Sequence, residues 1–222
     1  PAADLLQAEY TEIDEVALLS WSMERSLARA DKQSNEEGRF ASPEFLEIFT
    51  FPLIVGDEDT GLNEINNIVL SKSLAEKYFG EEWRNEALGQ ALLLEDEQEV
   101  VVTGVFEDMG SNSTLDFDWL MPTAQFIANN DWVEDWGNGS FAVFFTVDSP
   151  QKANVVAERV VNEINDHTVG AGNAGDETLI ISKFTDTYLH SNFDNGVVNG
   201  GRIEYVRIMT FVAFLILMIA CI

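Results

Sequence analysis

The sequence predicts an α+β fold that runs into an apolar C-terminal helix. Three observations carry this. Short β-branched or alternating runs, such as Ile68 to Leu70 and the stretch "EVVVTGVF", are interleaved with short amphipathic helical runs, such as "SKSLAEKYFG". Ser-Pro pairs, Ser42-Pro43 and Ser149-Pro150, stand in front of two helical stretches. The chain closes on an uncharged apolar run from Ile208 to Ile222.

The elements follow in order. Pro1 suits a first helical turn, and Leu5, Leu6 and Glu9 continue it as a helix. After Ile13 the pattern turns to strand around Val16 to Met23. Two polar alternating stretches follow, near Ser26 to Asp31 and Gly38 to Ala41. In "SPEFLEIFTF" Ser42 is the expected N-cap and Pro43 the first helical residue. Phe45, Ile48 and Phe49 form one face, and Pro52 ends the helix. Ile68 to Leu70 reads as a short buried strand. Ser71 or Lys72 then opens a helix that carries Leu74, Ala75 and Tyr78 on one face and closes at Gly80.

"ALLLEDEQEVVVTGVFED" reads as a hairpin turning at about Asp96, with Gly104 as a bulge in its second strand. This pairing expects Val102 and Val105 to differ in burial from Val101 and Thr103. "GSNST" is a loop. "LDFDWLM" is an alternating strand expected to place Leu115, Phe117 and Trp119 together, and Pro122 opens a short helix through Ile127. "NNDWVEDWGNGS" is a loop and Phe141 to Val147 a strand. Ser149 caps a helix whose buried stripe is Val155, Val156, Val160 and Ile164. "GAGNAGDE" is a flexible link, Thr178 to Phe184 a strand, and "HSNFDNGVVNGG" a linker into the last helix.

That last helix should begin near Arg202 or Ile203. Its apolar part covers about 15 residues, where a spanning helix needs roughly 20. It follows a polar stretch with Arg202, Glu204, Tyr205 and Arg207, and it has no polar face, so it reads as the first part of a transmembrane helix. A core helix of a soluble domain is the alternative. Where the side chains of Ile208 to Ile222 lie separates the two.

Charge narrows the functions. Lys and Arg number 12 against 39 Asp and Glu, a net charge of -27. Such a surface repels nucleic acid and anionic headgroups, so no nucleic-acid partner is expected. The acid excess fits a saline habitat or plain solubility. The aromatic content of 11% argues for a folded chain. The single cysteine, Cys221, permits no disulfide within the chain and no cysteine-based zinc site. No signal-peptide pattern opens the chain, and Pro1 is expected to be a boundary within a longer protein.

Chemistry-bearing constellations are sparse. His167 and His190 stand far apart in loop-like contexts and read as surface histidines. Asp116 and Asp118 flank Phe117 and share a strand face. A paired acid/base role is conceivable there, but a solvated face is the simpler reading. The phosphate-binding G-x-x-x-x-G-K-[ST] and the nucleophile elbow G-x-S-x-G are both missing. "GAGNAG" precedes a strand, which is the wrong order for a phosphate cradle. Asn112-Ser113-Thr114 and Asn138-Gly139-Ser140 match a glycosylation sequon, a pattern common by chance. No catalytic, cofactor-binding or metal residue is assigned, no cofactor is expected, and the chain does not read as an enzyme.

In order, "SPEFLEIFTFPLIVGD", "NNIVLSKSLAEKYFG", "ALGQALLLEDEQEVVVTGVFEDMGSNSTLDFDWLMP", "FAVFFTVDSP" and "YVRIMTFVAFLILMIACI" resemble the extracytoplasmic domain of MacB/FtsX-type ABC transporter permeases, in the branch common in Bacteroidetes. The likeness covers nearly the whole chain and rests on the order of the pieces rather than on any one of them. It implies a two-lobed periplasmic domain between the first and second transmembrane helices. A porter-like α/β lobe falls at 1–42 and 138–200, a smaller inserted Sabre-like lobe at 43–137, and the start of the second transmembrane helix at 203–222. It also implies an ABC ATPase subunit or domain, a second permease copy in a dimer, a periplasmic or outer-membrane partner in some relatives, and residence in the bacterial inner membrane. The function implied is coupling of cytoplasmic ATP hydrolysis to export or to mechanical signalling. A ligand-sensing domain of a membrane receptor is the runner-up, and a soluble enzyme with a core C-terminal helix stands third.

Overall fold

The computed structural model describes residues 1–49, 51–110, 113–136, 138–170, 181–194 and 197–221. The fold is mixed α+β. The chain divides into two compact units, Pro1–Val156 and Ala157–Ile222.

The first unit opens with α1 (Ala2–Glu9), β1 (Val16–Leu19), β2 (Met23–Arg29), β3 (Lys32–Ala41), α2 (Glu44–Ile48) and β4 (Leu53–Gly56). It continues with β5 (Asn67–Ser71), α3 (Lys72–Phe79), α4 (Trp83–Glu86), β6 (Ala91–Leu94), β7 (Gln98–Phe106), β8 (Trp119–Pro122), α5 (Thr123–Ala128) and β9 (Ala142–Phe145). The strands form one sheet in the order β2-β6-β7-β5-β8-β3-β1-β9, with β4 on β7. Because β2 also pairs with β3, the ladder from β2 to β3 closes on itself. Closure leaves the strands of that ring without free edges.

The ring separates two cores, as alternation along strands requires. Inside lie Met23 and Leu27 of β2, Phe40 of β3, Ile68 and Leu70 of β5, Val100, Val102 and Val105 of β7, and Trp119 of β8. Leu74, Tyr78 and Phe79 of α3 and Trp83 of α4 join that core. The second core gathers Ala17, Leu19, Phe45, Leu46, Val69, Phe106, Phe117 and Leu120. Val69 therefore sits opposite Ile68 and Leu70 across one strand.

α3 has the termini its sequence implies. The Ser71 hydroxyl accepts from Leu74 N at 3.2 Å, which satisfies an orphan first-turn donor. Gly80 follows the last turn at φ 75, where a side chain is disfavoured. Two cations from the β2–β3 hairpin meet the carbonyls of its last turn: Lys32 Nζ donates to the Lys77 carbonyl at 2.6 Å and Arg29 Nη1 to that of Tyr78 at 3.4 Å. Positive charge there complements the helix dipole.

The hairpin of β6 and β7 turns through Glu95 and Asp96, both at positive φ. The bulge forms at Gly104: Ile68 pairs with Val102 but Val69 with Gly104, so Thr103 is the extra residue. That insertion explains why Val102 and Val105, three apart, are both fully buried while Val101 and Thr103 are half-buried.

The second unit contains most of α6 (Pro150–Gly170), a 3-10 turn at Phe184–Asp186, the two-stranded ribbon β10 (Phe193–Asp194) and β11 (Val197–Val198), and α7 (Arg202–Ala220). α6 begins in the first unit, where the Ser149 hydroxyl accepts from Lys152 N at 3.4 Å, the expected cap.

Several expectations are corrected. Ser42 does not cap α2; its hydroxyl accepts from Leu18 N at 3.0 Å, satisfying a strand donor beside the buried end of β3. Val16 to Met23 is not one strand, because Ser20 to Ser22 interrupt it between β1 and β2, which pair with successive stretches of β3. Leu115, Phe117 and Trp119 do not share a face. Pairing starts only at Trp119, so Phe117 packs in one core and Trp119 in the other. Val155 is 49% exposed while Val156 and Val160 are buried; Val155 lies one residue, about 100° of helix, off the stripe. The loop after α5 contains a 3-10 turn, Asp131–Glu134, that buries Val133. Of the strand expected at Thr178 to Phe184, 178–180 lie outside the described residues, 181–183 have no regular structure and Phe184 opens a 3-10 turn. The link at 171–177 and Asn112 of the first sequon also lie outside the described residues.

Candidate functional site

α7 is the feature with the clearest functional consequence. None of its side chains is buried, and Tyr205, Ile208, Met209, Phe211, Phe214, Ile216 and Ile219 are each more than half exposed. It is long and apolar enough to cross a membrane by length and composition. An apolar surface of this extent is costly in water, so the core-helix alternative does not describe it. Thr210, the hydroxyl in the apolar stretch, donates to the Val206 carbonyl at 2.7 Å, which satisfies it within the helix.

The base of α7 is held from several sides. Ile203 N donates to the Leu189 carbonyl at 3.1 Å. The Arg202 guanidinium lies 4.5 Å from the centre of the Tyr188 ring. Gly201, at φ 139, runs so close to the chain before it that an added Cβ would fall 2.6 Å from the Leu189 carbonyl oxygen. Asn192 N donates to the Gly200 carbonyl at 3.3 Å and Asn199 N to that of Asn192 at 2.7 Å. The Gly-Asn linker is thus a ribbon folded back on the helix start, with Glu204 in the first turn as the dipole favours.

A polar network lies on the first unit where β3 meets α3. Ser34 Oγ donates to Glu36 and stands 2.9 Å from the Tyr78 hydroxyl, which donates to the Leu27 carbonyl at 2.7 Å. Lys77 forms an ion pair with Glu36. The hydrogen bond to Glu36 raises the Lys77 pKa against an opposing effect of burial. Burial raises the Tyr78 pKa. Asp118 feels the charge of Glu36 in this network. Its Oδ1 is 3.4 Å from Ser71 Oγ, and its carboxyl is pushed up first by burial and then by Glu36, with Asp116 and Asp108 adding and Ser71 opposing.

Asp116 is exposed, Asp118 half-buried, and both precede β8. They therefore do not form a pair on a strand. His167 lies exposed in the last turn of α6 and His190 half-buried beside the Phe184–Asp186 turn, with its N–H on the Asp186 carbonyl at 2.8 Å. Among the described residues, no group of three or more His, Cys, Asp or Glu side chains is placed to hold a metal. Lys72, Glu76, Glu81, Trp83 and Arg84 line an open groove of mixed charge. The network around Tyr78 has no signal in the sequence, because its partners stand more than 40 residues apart.

The family model described as the MacB-like periplasmic core domain matches residues 1–163. No curated protein matches the chain. Among solved structures, a domain described as a permease protein from Porphyromonas gingivalis matches at TM-score 0.61 and 23% identity over 74% of this chain and 75% of its own. The extracellular domain of the ABC-type transporter YknZ from Gram-positive bacteria matches at TM-score 0.55 and 15% identity, over 74% and 81%. The periplasmic region of MacB from Actinobacillus actinomycetemcomitans matches at 0.56 and 15%, over 75% and 72%.

Proposed function

The chain belongs to the MacB-like periplasmic core domain family of ABC-transporter permeases, and from that premise we propose that it couples cytoplasmic ATP hydrolysis to export or to mechanical signalling across the inner membrane. The observation that carries the proposal is the pairing of an exposed apolar helix with a braced base. Movement of α7 would be passed on through Arg202, Ile203 and Gly201 to the segment at 188–200 rather than lost in a slack linker. Chemistry is left to an ATPase subunit or domain in the cytoplasm, and a second permease copy completes a dimer. The domain faces the periplasm and meets a periplasmic or outer-membrane partner.

Within it, the porter-like lobe occupies 1–42 and 138–200 and the inserted lobe 43–137. The β2–β6 and β3–β8 ladders join strands of these two segments. Hydrogen-bonded ladders resist shear, so the lobes would respond together. Spin labels at exposed Asp31, one on each copy of the intact permease with its ATPase, test the coupling. The distance between them should change when ATP is added and return on hydrolysis. An unchanged distance during full ATP turnover sinks the coupling.

A further inference from the structure

Trp21 and Trp132 are 47% and 40% exposed, and their rings stack with centroids 6.3 Å apart and planes 24° from parallel. Trp21 comes from the short connection between β1 and β2, Trp132 from the 3-10 turn after α5, so the fold brings together two indoles far apart in sequence. The pair is rigid. Phe126 meets both rings edge-on, at 5.7 Å and 6.0 Å, and continues inward to Phe40 at 5.2 Å and from there to Trp119 at 5.5 Å. Trp132 Nε1 donates to Asn130 Oδ1 at 3.1 Å, and Asn130 Nδ2 donates to the Phe126 carbonyl at 2.8 Å. Two large indoles held this firmly in water are an anchor with little ordering entropy left to lose.

The chemistry around the pair selects its occupant. Asp131 and Glu134, in the same turn as Trp132, and Asp135, which ends it, are all exposed. Elsewhere the chain covers aromatic faces with its own guanidinium groups: Arg29 over Phe79 at 4.3 Å, Arg84 over Trp83 at 4.8 Å and Arg202 over Tyr188 at 4.5 Å. Among the described residues no cation lies over Trp21 or Trp132. We propose that this pair is the docking shelf for an arginine-bearing segment of an extracytoplasmic partner protein, the guanidinium stacking on the indoles while the three carboxylates hold its charge. A lipid surface fits less well, because those carboxylates would press on lipid phosphates. A second copy fits less well too, because a two-fold contact would set the same carboxylates against each other. The inference gives a chemistry to the partner in the function proposed above and does not depend on α7 entering a membrane.

The test uses the whole chain in phosphatidylcholine nanodiscs, with its tryptophans ¹⁵N-labelled at the indole. A short peptide of alternating Arg and Gly is titrated in, with alternating Lys and Gly as the comparison. The Trp21 and Trp132 signals should move while those of buried Trp83 and Trp119 stay, and the Arg peptide should bind about threefold tighter than the Lys peptide. Trp21→Leu and Trp132→Leu should each weaken binding about tenfold, with the Trp119 signal reporting that the core is intact. Combined Asp131→Asn, Glu134→Gln and Asp135→Asn leaves the aromatic stack alone and should weaken binding about threefold and flatten its salt dependence. Unchanged affinity in both Trp variants would mean that charge alone attracts the peptide, and unchanged affinity in the triple variant would mean that these carboxylates do not hold it; either would overturn the proposal. So would broadening of the two signals by paramagnetic lipid, which assigns the shelf to the membrane. Shifts that follow protein concentration without peptide would assign it to self-association and overturn the proposal equally. Failure on any of these counts leaves the ATP-dependent distance change to be judged separately.

Discussion

The Trp119 indole lies against the backbone of Gly38, its parallel register partner, so closely that a Cβ on Gly38 would fall 2.0 Å from the ring's Cδ2. Trp119 Nε1 donates to the Glu36 carbonyl at 2.9 Å, and the ring meets Phe40 edge-on. Gly38 therefore has no room for a side chain, although its φ does not require glycine. Trp119 is fully buried, pinned by a hydrogen bond and a ring contact, and cannot turn aside. Gly38→Ala should destabilise the domain by about 3 kcal/mol, the upper part of the usual range for overpacking. Urea unfolding followed by far-ultraviolet circular dichroism checks it. A loss near zero would show that the ring has another place to go.

The bulge in β7 decides which of its valines tolerate charge. Val102→Asp and Val105→Asp place a carboxylate in the ring's interior and should leave no folded protein at room temperature. Val101→Asp and Thr103→Asp should still fold, Thr103 at a greater cost because its hydroxyl donates to the Gly61 carbonyl at 2.7 Å. Deleting Thr103 should also be tolerated better than Val102→Asp, since removal of the extra residue sets Val102 next to Gly104, opposite Ile68 and Val69, and leaves Val102 and Val105 on the same face. Equal tolerance at Val101 and Val102, measured by soluble yield and thermal melting, would refute the assigned pairing.

Ser71 is the cap on which α3 begins, and it is buried. Ser71→Ala should cost about 1 kcal/mol, while Ser71→Asn, which keeps an acceptor for Leu74 N, should recover part of that loss. Ser42→Ala tests a different bond, the one to Leu18 N, and should loosen the β1 end of the sheet without altering α2. Amide exchange at Leu74 and at Leu18 distinguishes the two.

What was legible in the sequence was local. α3 could be bounded because Ser71 and Gly80 act through their own backbones. The β6–β7 hairpin and its Gly104 bulge were readable because partner strands are adjacent in the chain. The cap of α6 at Ser149 was legible for the same reason, and the apolarity of α7 is a property of composition alone. What was hidden depends on distant partners. Closure of the ring needs β2 on β6 and β3 on β8, and nothing near Leu27 names Leu94 as its neighbour. Ser42 looked like a cap because a cap is the nearest use for its hydroxyl, but Leu18 N competes for it across the sheet. Phe117 and Trp119 obeyed a period of two on paper, yet a strand has that period only where it is paired. The candidate site divides the same way: the helix could be read, whereas its Tyr188–Arg202 brace and the Trp21–Trp132 stack could not.

Asp118 should make the domain less stable as pH rises. Burial and the charges of Glu36, Asp116 and Asp108 raise its pKa in the fold above the unfolded value. Between those two values the folded state binds more proton than the unfolded one, so stability falls with increasing pH across that window. The penalty is complete above the folded pKa and absent below the usual carboxylate range. Asp118→Asn should therefore raise stability at pH 7 by about 0.5 kcal/mol, a scale suited to a partly exposed charge, and make no difference well below about pH 4. Ser71 Oγ can still donate to the amide oxygen. Melting curves of both proteins across this range check the sign, and a gain confined to low pH would contradict it.

α7 should enter a bilayer as a helix whose charged first turn stays outside. Glu204, Arg202 and Arg207 mark the outer end, and the long side chain of Arg207 can extend toward the headgroups. From Ile208 to Ala220 the helix carries only apolar side chains and Thr210, whose hydroxyl is already bonded to Val206. Leu215 lies well inside this stretch and is exposed, so Leu215→Arg removes no packing within the chain. It should nevertheless cost about 3 kcal/mol of insertion, because a guanidinium at membrane depth must be dragged from water. Flotation with phosphatidylcholine vesicles should recover the native chain at the top of the gradient and leave most of Leu215→Arg below, with the melting curve of the first unit unchanged. Ser at the same position should cost far less. The brace supplies the companion measurement. Tyr188→Ala removes the ring under Arg202 and should loosen the helix base, seen as faster amide exchange at Ile203, without reducing flotation. Flotation of Leu215→Arg equal to that of the native chain would mean that vesicles bind some other surface of the protein, and α7 would lose its role as the anchor.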